Sequence, residues 1–519
     1  MGAPLVLAVD ASLMADRMLI GGKAESLVTL ARLGAAVPAA FVLTTEAYRL
    51  WASGGDDSLL QSMIAEGMRG LEARTGRRFS DGANGLVVAV RSGAPVSMPG
   101  MMDTVLNAGL GSLGAPAEHF IIDARLRFLW QYAELVLGLD EASLEAIRAE
   151  NAVVTDVESL ARLEHHFEAA AAALGKIWPV TAMSEVVGAA HAVFKSWQSS
   201  RARLYRRMRK IDDTLGTTVT IQQMVFGNRD SRSGSGVAFT RSPADGAPGL
   251  HGEFLVGGQG EEVVAGRVAG TGLECWRDIQ PALFEQLEAL GHRLEAASRK
   301  VHEIEFTVEQ GACFVLQCRP ALLTARAAAR VAVEMHQEGL LQRGEAVAVA
   351  ASHGFDPAAD PTGLVVPAGA AVAARGIPVG GGVAVGRVAL TLAGAERLVR
   401  AGEPVVFVAL ETSPGLLSVM QRSAALVSMR GGATSHAAVV ARELGTPCVV
   451  GLGCRLADDE VGTSPPLHEG DWVTVDGDSG AIHAGDVTVR ASRLTSWEIR
   501  LRDWAAEESA GANTRRGAR

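Results

Sequence analysis

Cysteine, lysine and long apolar runs are all scarce in this chain of 519 residues. The 5 cysteines form no C-x-x-C pair, and an odd number is typical of reduced thiols rather than of a disulfide framework. The first ten residues, MGAPLVLAVD, lack the basic and apolar regions of a signal peptide, and no apolar run is long enough to cross a membrane. These absences predict a soluble, cytoplasmic protein.

A surplus of basic residues is also lacking, since the formal net charge is −10. A general nucleic-acid binder usually presents a basic face, so this balance argues against one, although it leaves room for local phosphate-binding pockets. The chain has 5 lysines and 43 arginines, a bias that we attribute to genome composition rather than to function. Its length allows roughly two to four domains with substantial cores.

The clearest local pattern lies around residue 436. Ala424–Met429 is an apolar run that predicts a buried strand, and His436–Leu444 is an alanine-rich stretch that predicts a helix closed by a glycine. Thr434 and Ser435 are good N-cap residues. His436 is therefore expected in the first helical turn, where free N–H groups favour a neutral, nucleophilic imidazole and an anion. The alternative is a histidine that only caps the helix or packs in a core.

The segment HEIEFTVEQGACFVLQCRP predicts a β-hairpin, because two runs with period-two alternation flank a three-residue loop at 310–312. In that register Glu303 faces Arg319 and Glu305 faces Gln317, with all four side chains on one face. Two carboxylates, an amide and a guanidinium that cluster in this way could together bind Mg²⁺ and the terminal phosphates of a nucleotide. A purely structural cross-strand ion pair is the alternative.

Two further segments carry candidate phosphate-binding cations. Lys23 follows a Gly-Gly pair ahead of an amphipathic helix, but GGK lacks the full spacing of a phosphate loop, so a surface lysine is the alternative. Arg91 ends a β-rich run and precedes a loop of small residues, 92–103, whose backbone suits a polyphosphate. A long structural turn is the alternative for that loop.

Three stretches resemble the pyruvate phosphate dikinase family: RGGATSHAAVVARELGTPCVVG, VRSGAPVSMPGMMDT and the hairpin segment. Members of that family carry a phosphoryl group on the histidine of a GG-x-TSHAAVVAR motif. The likeness extends from about residue 15 to about residue 490. It implies an α/β (α+β multidomain) fold in which an ATP-grasp nucleotide-binding domain precedes a β/β/α swivelling phosphohistidine domain.

The resemblance also implies domain boundaries. They are an ATP-grasp domain over 1–330 with a helical insert at about 117–215, a helical linker over 331–370, a phosphohistidine domain over 371–490 and a C-terminal tail over 491–519. In the tail we expect one amphipathic helix and a basic, disordered end, NTRRGAR. The Pro- and Gly-bearing stretch before residue 371 is typical of a flexible connector.

By this resemblance His436 is the phosphoryl carrier, and Thr434 is a candidate site of regulatory phosphorylation. Ser435 and Arg442 also occupy matching positions of the motif. The resemblance further implies that Lys23 and Arg91 act with His436 in catalysis.

The family's nucleotide site implies a larger set of residues here. ATP is expected to bind at Lys23, Arg91, Gln222, Glu261, Glu303, Glu305, Gln317 and Arg319, with Mg²⁺ on Glu303 and Glu305. The segment 222–225 is expected to border the adenine, largely through backbone groups. Glu303 stands where relatives often have Asp, which keeps the charge but lengthens the reach to the metal.

The implied function is a dikinase-like phosphotransferase. ATP and orthophosphate would phosphorylate His436 with release of AMP and pyrophosphate, although water replaces orthophosphate in synthase-type relatives. Family members continue into a barrel of roughly 250 residues that binds pyruvate and phosphoenolpyruvate, whereas only about thirty residues follow the phosphohistidine domain here. We therefore expect the acceptor, pyruvate or another small molecule, on a separate chain. The alternatives are a specialised small-molecule kinase of the same family and a non-catalytic nucleotide-binding, phosphocarrier or regulatory module.

Overall fold

Three sheets of five or more strands organise the part of the chain that the computed structural model describes. The described residues are 3–54, 57–79, 85–96, 98, 101–111, 113, 117–264, 271–412, 414–456 and 460–517, with the backbone alone for 57, 261, 264, 414 and 509–517. The chain divides into two units. The first contains Met1–Arg229 with Cys313–Cys318, and the second contains Asp230–Ala312 with Arg319–Arg519.

The first unit is built on an antiparallel sheet with the strand order β1-β2-β5-β3-β4. Its strands are β1 (Val6–Val9), β2 (Ala40–Leu43), β3 (Val88–Ser92), β4 (Thr104–Ala108) and β5 (Val219–Gln223). Its helices are α1 (Arg17–Arg32), α2 (Thr45–Ala52), α3 (Asp57–Thr75), α4 (His119–Gln131), α5 (Glu141–Glu150), α6 (Val157–Ala173), α7 (Ala182–Ser196) and α8 (Ser200–Arg209). A π-helical turn, Tyr132–Val136, and a 3₁₀ turn, Asp213–Leu215, complete it.

Helices α5 to α8, which lie between β4 and β5, begin where short polar side chains cap them. Asp156 and Thr181 each form a capping box with a serine three residues later, at the starts of α6 and α7. The buried faces of these helices join one apolar core with the sheet, to which Phe41, Phe167 and Trp197 contribute. A buried ion pair between Arg125 and Glu185 lies among them.

The second unit begins with a five-stranded sheet of order β10-β9-β6-β7-β8. Its strands are β6 (Gly234–Arg241), β7 (Pro248–Val256), β8 (Thr271–Gly272), β9 (His302–Glu309) and β10 (Ala312–Pro320). The helices of this part are α9 (Gly260–Val264), α10 (Leu273–Ile279), α11 (Pro281–Ser298), α12 (Ala325–Gln337) and α13 (Arg343–Ser352). Trp276 and three phenylalanines stack beside this sheet.

The same unit contains an eight-stranded sheet of order β12-β21-β20-β14-β15-β16-β17-β13. Its strands are β12 (Ala374–Arg375), β13 (Ile377–Gly380), β14 (Val383–Ala389), β15 (Val405–Ala409), β16 (Ala425–Ser428), β17 (Cys448–Val450), β20 (Trp472–Asp476) and β21 (Ala481–Ala484). Strands β14 to β17 are parallel neighbours, so helices cross between them. These are α14 (Leu392–Arg400), α15 (Leu417–Met420) after the 3₁₀ turn Pro414–Leu416, and α16 (His436–Leu444).

Two short ribbons and one helix complete the second unit. Strand β11 (Thr362–Val365) pairs with β22 (Val489–Ser492), and β18 (Glu460–Val461) pairs with β19 (Leu467–His468). Helix α17 (Ser496–Gly517) buries Leu501 and Trp504 against α12 and α13.

Most local predictions agree with these elements. The mixed α/β class is confirmed, α16 has the predicted bounds, and the strand predicted before it is β16. Two predictions are wrong. The hairpin loop has two residues rather than three, because Gln310 and Gly311 both adopt positive φ angles of 53° and 81°, as a tight hairpin turn requires. The tail is helical through Gly517, so its end is not disordered over 513–517.

The predicted domain boundaries are not tested by these units and stay a prediction. Among the described residues, no helix combines the length and the apolar character that crossing a membrane requires.

Candidate active site

His436 occupies the first position of α16, and the local sequence fixes it there. After β16 the chain turns at Gly431, whose φ of 103° is accessible to glycine but strained for other residues. Ser435 is the N-cap, and its hydroxyl accepts a hydrogen bond from the backbone N–H of Ala438. Gly445 ends the helix in the left-handed conformation, with φ 66°.

His436 is half-buried as a residue, and its Nε2 atom is shielded from solvent, whereas the next two alanines are fully buried. A helix N-terminus presents N–H groups and partial positive charge, which stabilise an anion bound there. The position therefore combines a partly exposed imidazole, whose Nε2 atom is shielded, with an environment suited to a phosphoryl group. The placement of His436 in the first helical turn agrees with the sequence prediction.

The loop that precedes His436 contacts the five-stranded sheet of the same unit through Glu253 of β7. A Glu253 Oε1 atom accepts a hydrogen bond from the backbone N–H of Ala433 at 3.0 Å. The same carboxylate lies so close to Gly432 that a Cβ atom there would be 1.7 Å from Oε1. A side chain at residue 432 would therefore displace the Glu253 carboxylate from this contact.

Thr434 is buried in the same contact. Its side chain is 7% exposed, and its hydroxyl donates a hydrogen bond to the carbonyl of Val263 at 3.4 Å. Glu253 did not emerge from sequence reasoning. The available signal was an acidic residue within the strand-like segment HGEFLV, but its contact depends on a loop 180 residues away.

Arg442 lies on the buried side of α16, with 7% of its surface exposed. Its guanidinium carbon is 5.8 Å from the centroid of the Phe239 ring in β6. Burial lowers the pKa of Arg442 to about 10; the charge of Glu303 partly offsets this effect and that of Arg319 adds to it. Burial also raises the pKa of the neighbouring Cys448 thiol to about 12, so that this residue is neutral near pH 7.

Glu303 and Arg319 form the ion pair that the hairpin pattern predicts. Arg319 Nη2 donates to Glu303 Oε1 at 2.6 Å, and the Glu303 side chain is 7% exposed. Burial alone would lower the pKa of Arg319, but the charges of Glu303 and Glu305 outweigh it and hold that pKa above its ordinary value. The arrangement fixes the Arg319 guanidinium, in its charged form, against the Glu303 side chain on the hairpin.

In the first unit, Arg91 lies near the end of β3 and donates hydrogen bonds to the side chains of Gln222 and Gln317, two residues that the sequence assigns to the nucleotide site. Its Nη1 donates to Gln222 Oε1 at 3.0 Å and to the Leu316 carbonyl at 3.3 Å, and its Nη2 donates to Gln317 Oε1 at 3.4 Å. These hydrogen bonds fix the position of the guanidinium, a group that can bind a polyphosphate through charge-assisted hydrogen bonds.

Lys23 lies within α1, which has a kink at Gly21 where φ is 76°. The predicted Gly-Gly turn is therefore part of a bent helix. Its role is close packing, because a Cβ on Gly21 would be 1.6 Å from the carbonyl oxygen of Gly93. Lys23 stands beside the same glycine, 3.4 Å from the position a Gly93 Cβ would take. The kink therefore places Lys23 at the start of the small-residue loop, whose residues 97, 99 and 100 lie outside the described ones.

From the sequence, Gln222 is expected to border the adenine largely through its backbone, and Glu261 is expected to contact the nucleotide through its side chain. Gln222 pairs with Ala40 on one side and Ala89 on the other, a central position of the sheet, and its side chain rather than its backbone contacts Arg91. Glu261 belongs to α9, but its side chain lies outside the described residues. Within the described ranges, no group of three or more His, Cys, Asp or Glu is arranged to hold a metal ion.

Comparison with known proteins adds to this geometry. Residues 57–271 match the family described as "Pyruvate phosphate dikinase, AMP/ATP-binding domain", and residues 401–480 match "PEP-utilising enzyme, mobile domain". The chain is 35% identical over 514 residues to pyruvate, phosphate dikinase of Clostridium symbiosum, which covers 94% of this chain and 59% of the relative. It is 36% identical over 524 residues to that of Rhizobium meliloti, with 94% and 58% covered.

A plant relative gives a similar result. The chain is 37% identical over 490 residues to "Pyruvate, phosphate dikinase 1, chloroplastic" of Oryza sativa subsp. japonica, covering 90% of this chain and 52% of the relative. The chain thus spans between 52% and 59% of the length of these curated relatives.

Proposed function

Because this chain is related to the pyruvate, phosphate dikinases through their AMP/ATP-binding and mobile domains, we propose that it is an ATP-dependent phosphotransferase with His436 as its phosphoryl carrier. The observation that carries the proposal is the position of His436, half-buried at the start of α16 in the mobile domain. The contact of its loop with Glu253 supports the same function, since it holds the imidazole near the sheet that contains Glu303.

The proposed chemistry has two steps. A nitrogen of the neutral His436 imidazole attacks the β-phosphorus of ATP, and a P–N bond forms as the bond from that phosphorus to the α,β-bridging oxygen breaks. The electron pair leaves with AMP, and the other ring nitrogen loses its proton to solvent. An oxygen of orthophosphate then attacks the terminal phosphorus of the pyrophosphoryl group, so that pyrophosphate leaves and phosphohistidine remains.

Nucleotide binding is assigned to the residues named from the sequence. We propose that Lys23, Arg91, Gln222, Glu261, Gln317 and Arg319 bind ATP, and that Lys23 and Arg91 stabilise charge on its phosphates. The hydrogen bonds from Arg91 to Gln222 and Gln317 support this assignment, since they fix the position of a guanidinium beside two other residues of the proposed site.

Glu303 and Glu305 would hold Mg²⁺. Two protein carboxylates fit this ion, which commonly binds one or two carboxylates and completes its shell with water and substrate phosphates. Arg319 binds only the Oε1 atom of Glu303 and orients that carboxylate. When bound, the ion neutralises charge that develops on the phosphates.

The domain organisation proposed from the sequence, with an ATP-grasp domain over 1–330 and a swivelling domain over 371–490, accounts for two separate steps. After phosphorylation, the swivelling domain would carry the phosphoryl group to pyruvate or another small acceptor bound on a separate chain. Phosphorylation of Thr434 would be regulatory. It would require the buried Thr434 hydroxyl to break its hydrogen bond with the Val263 carbonyl, and so would disturb the contact of this loop.

Labelling with [β-³²P]ATP and orthophosphate tests the carrier. We expect acid-labile, base-stable label that maps to His436, AMP and pyrophosphate in equal amounts, and no label on His436→Ala. A His436→Ala protein that labels like the wild type would contradict the proposal. Nucleotide binding without any labelling of the wild type would favour a non-catalytic carrier or regulatory module.

A second experiment identifies the acceptor. The phosphorylated chain is mixed with pyruvate, alone and with a separately expressed pyruvate-binding domain of a full-length relative, and phosphoenolpyruvate is measured. Formation only with the added domain supports an acceptor site on another chain. Formation by the chain alone would contradict that part of the proposal, and discharge to neither would favour a different small molecule.

A further inference from the structure

Arg442 is a buried cation for which the described part of the chain supplies no hydrogen bond. Its Nε and Nη1 atoms are shielded from solvent and have no hydrogen-bond partner among the described residues. The side chain lies over the Phe239 ring, whose π electrons attract a cation but accept no conventional hydrogen bond. A buried guanidinium in this state costs free energy, because its N–H groups have lost water and gained nothing in exchange.

Other buried arginines of the same chain are bound differently. Arg125 contacts Glu164 and Glu185, Arg206 contacts Asp213 and the carbonyl of Trp197, and Arg241 contacts Glu295, Glu334 and Glu338. Each of these three is 5% exposed or less and is paired with at least one carboxylate. An arginine that served only to hold elements together would be expected to show the same pattern. Arg442 therefore lacks the contacts of a structural arginine.

The surroundings of Arg442 indicate which ligand is missing. Phe239, beneath its guanidinium, pairs in register with Glu303 in the adjacent strand β9. Glu303 and Arg319 both lie near enough to Arg442 for their charges to act on it. These are the two residues that we assign to Mg²⁺ and the phosphates of ATP. The unpaired guanidinium thus faces the region in which the terminal phosphates are proposed to bind.

We propose that Arg442 binds the oxygens of the pyrophosphoryl group during its transfer from ATP to His436. This inference rests on the proposed function and adds a residue to it: a cation carried by the mobile domain itself, on the same helix as the nucleophile. The ligand class is a pyrophosphate or polyphosphate anion, which a guanidinium binds through two parallel N–H···O hydrogen bonds.

Such a placement couples chemistry to the position of the mobile domain. Arg442 reaches the phosphates only while the α16 loop contacts Glu253 and Val263, so the cation and the imidazole arrive together. Arg442 would stabilise the pyrophosphoryl group, whose charge is redistributed as AMP leaves. Once AMP or pyrophosphate has been released and the mobile domain moves away, the contact between Arg442 and the phosphates would be weakened.

The first test measures the rate of His436 labelling from [β-³²P]ATP in Arg442→Gln, Arg442→Lys and the control Arg400→Gln. Arg400 lies on α14 with 76% of its side chain exposed. We expect a loss of about 100-fold or more for Arg442→Gln, the usual effect of removing one preorganised contact to transition-state charge. Arg442→Lys should recover part of the rate, and Arg400→Gln should label like the wild type.

The second test uses thermal unfolding, without ligand and with inorganic pyrophosphate and Mg²⁺. If Arg442 awaits an anion, Arg442→Gln is as stable as the wild type or more stable without ligand, and it loses most of the pyrophosphate-induced shift. Arg442→Lys should keep part of that shift. A structural role predicts the reverse: a lower midpoint without ligand and an unchanged shift.

The outcomes separate this inference from the proposed function. Labelling of the wild type with an unimpaired rate in Arg442→Gln would overturn the inference alone. No labelling of the wild type, together with a pyrophosphate shift that Arg442→Gln lacks, would overturn the proposed function and support the anion site. An equal shift in both proteins would overturn the inference whatever the labelling shows.

Discussion

Single residues of the second unit illustrate how a buried charge is tied to its partner. Glu303 is 7% exposed and Arg319 is 25% exposed in their ion pair, so both have lost much of their hydration. Removing one member of such a pair leaves the other desolvated, which costs more than the pair contributes as a unit. The pair therefore has a structural consequence that is separate from metal or nucleotide binding.

We expect Glu303→Gln to lower the free energy of unfolding by about 2 to 4 kcal/mol, because Arg319 keeps its charge but loses its carboxylate. The double variant Glu303→Gln/Arg319→Gln should recover part of this loss. Chemical denaturation of the two single variants and the double variant gives the coupling energy directly. The control is Arg162→Gln, which removes an exposed ion pair with Glu158. It should change the free energy of unfolding by less than about 0.5 kcal/mol. Additive effects at Glu303 and Arg319 would contradict the account.

At the scale of elements, the loop before α16 depends on the small size of Gly432. Gly432→Ala would bring a Cβ atom within 1.7 Å of Glu253 Oε1, so either this carboxylate or the loop must move, and the hydrogen bond to Ala433 is disturbed. A displacement of about 1 Å at a reacting group commonly lowers a rate about 100-fold. We expect a loss of that order in His436 labelling, with little change in nucleotide binding.

The double variant Gly432→Ala/Glu253→Ala removes the obstructing carboxylate and is the matched control. Part of the labelling rate should return, because the alanine at 432 then has room, although the hydrogen bond to Ala433 is lost. If the double variant labels no better than Gly432→Ala, the obstruction lies elsewhere and the proposed role of the contact is wrong.

Strand β9 begins with a histidine that should make stability depend on pH. Burial, with a smaller effect of Lys300, lowers the pKa of His302 to about 4. An unfolded histidine has a pKa of about 6.5, so between these values the unfolded chain binds a proton that the folded chain does not. Stability is therefore lost as the pH falls from about 6.5 to about 4, and the contribution is complete above that window.

We expect His302→Gln to lack this component. The difference in free energy of unfolding between wild type and variant should shrink by about 2 to 3 kcal/mol between pH 7 and pH 4. Denaturation at several pH values measures it, with the exposed His165→Gln as the control. A difference that stays constant with pH would show that His302 titrates alike in both states.

The elements also show what the sequence could predict. The bounds of α16 are confirmed because Ser435 and Gly445 are local signals that act within a few residues. The hairpin was placed correctly but its loop was one residue too long, since a positive φ at Gln310 is not readable from its residue type. The contacts of Glu253, Arg442 and Phe239 join distant segments, so periodicity and capping patterns could not reveal them.

At the scale of the whole molecule, the proposed residues belong to two units. Lys23, Arg91, Gln222 and Gln317 are in the first, and Glu303, Glu305, Arg319 and His436 are in the second. Sequence likeness named the members of both sets, whereas the structure adds how Arg91, Glu303 and Arg319 are held. The similarity to pyruvate, phosphate dikinases covers 94% of the chain but at most 59% of those relatives.

The most direct test follows the two phosphoryl groups separately. Incubation with Mg²⁺ and [γ-³²P]ATP alone should place label on His436 as a pyrophosphoryl group, and adding orthophosphate should release that label as pyrophosphate. With [β-³²P]ATP the label should remain on His436 after the same addition. If γ label instead stays on the protein after orthophosphate is added, or if β label is never found on His436, the account of this chain as a dikinase-type carrier is wrong.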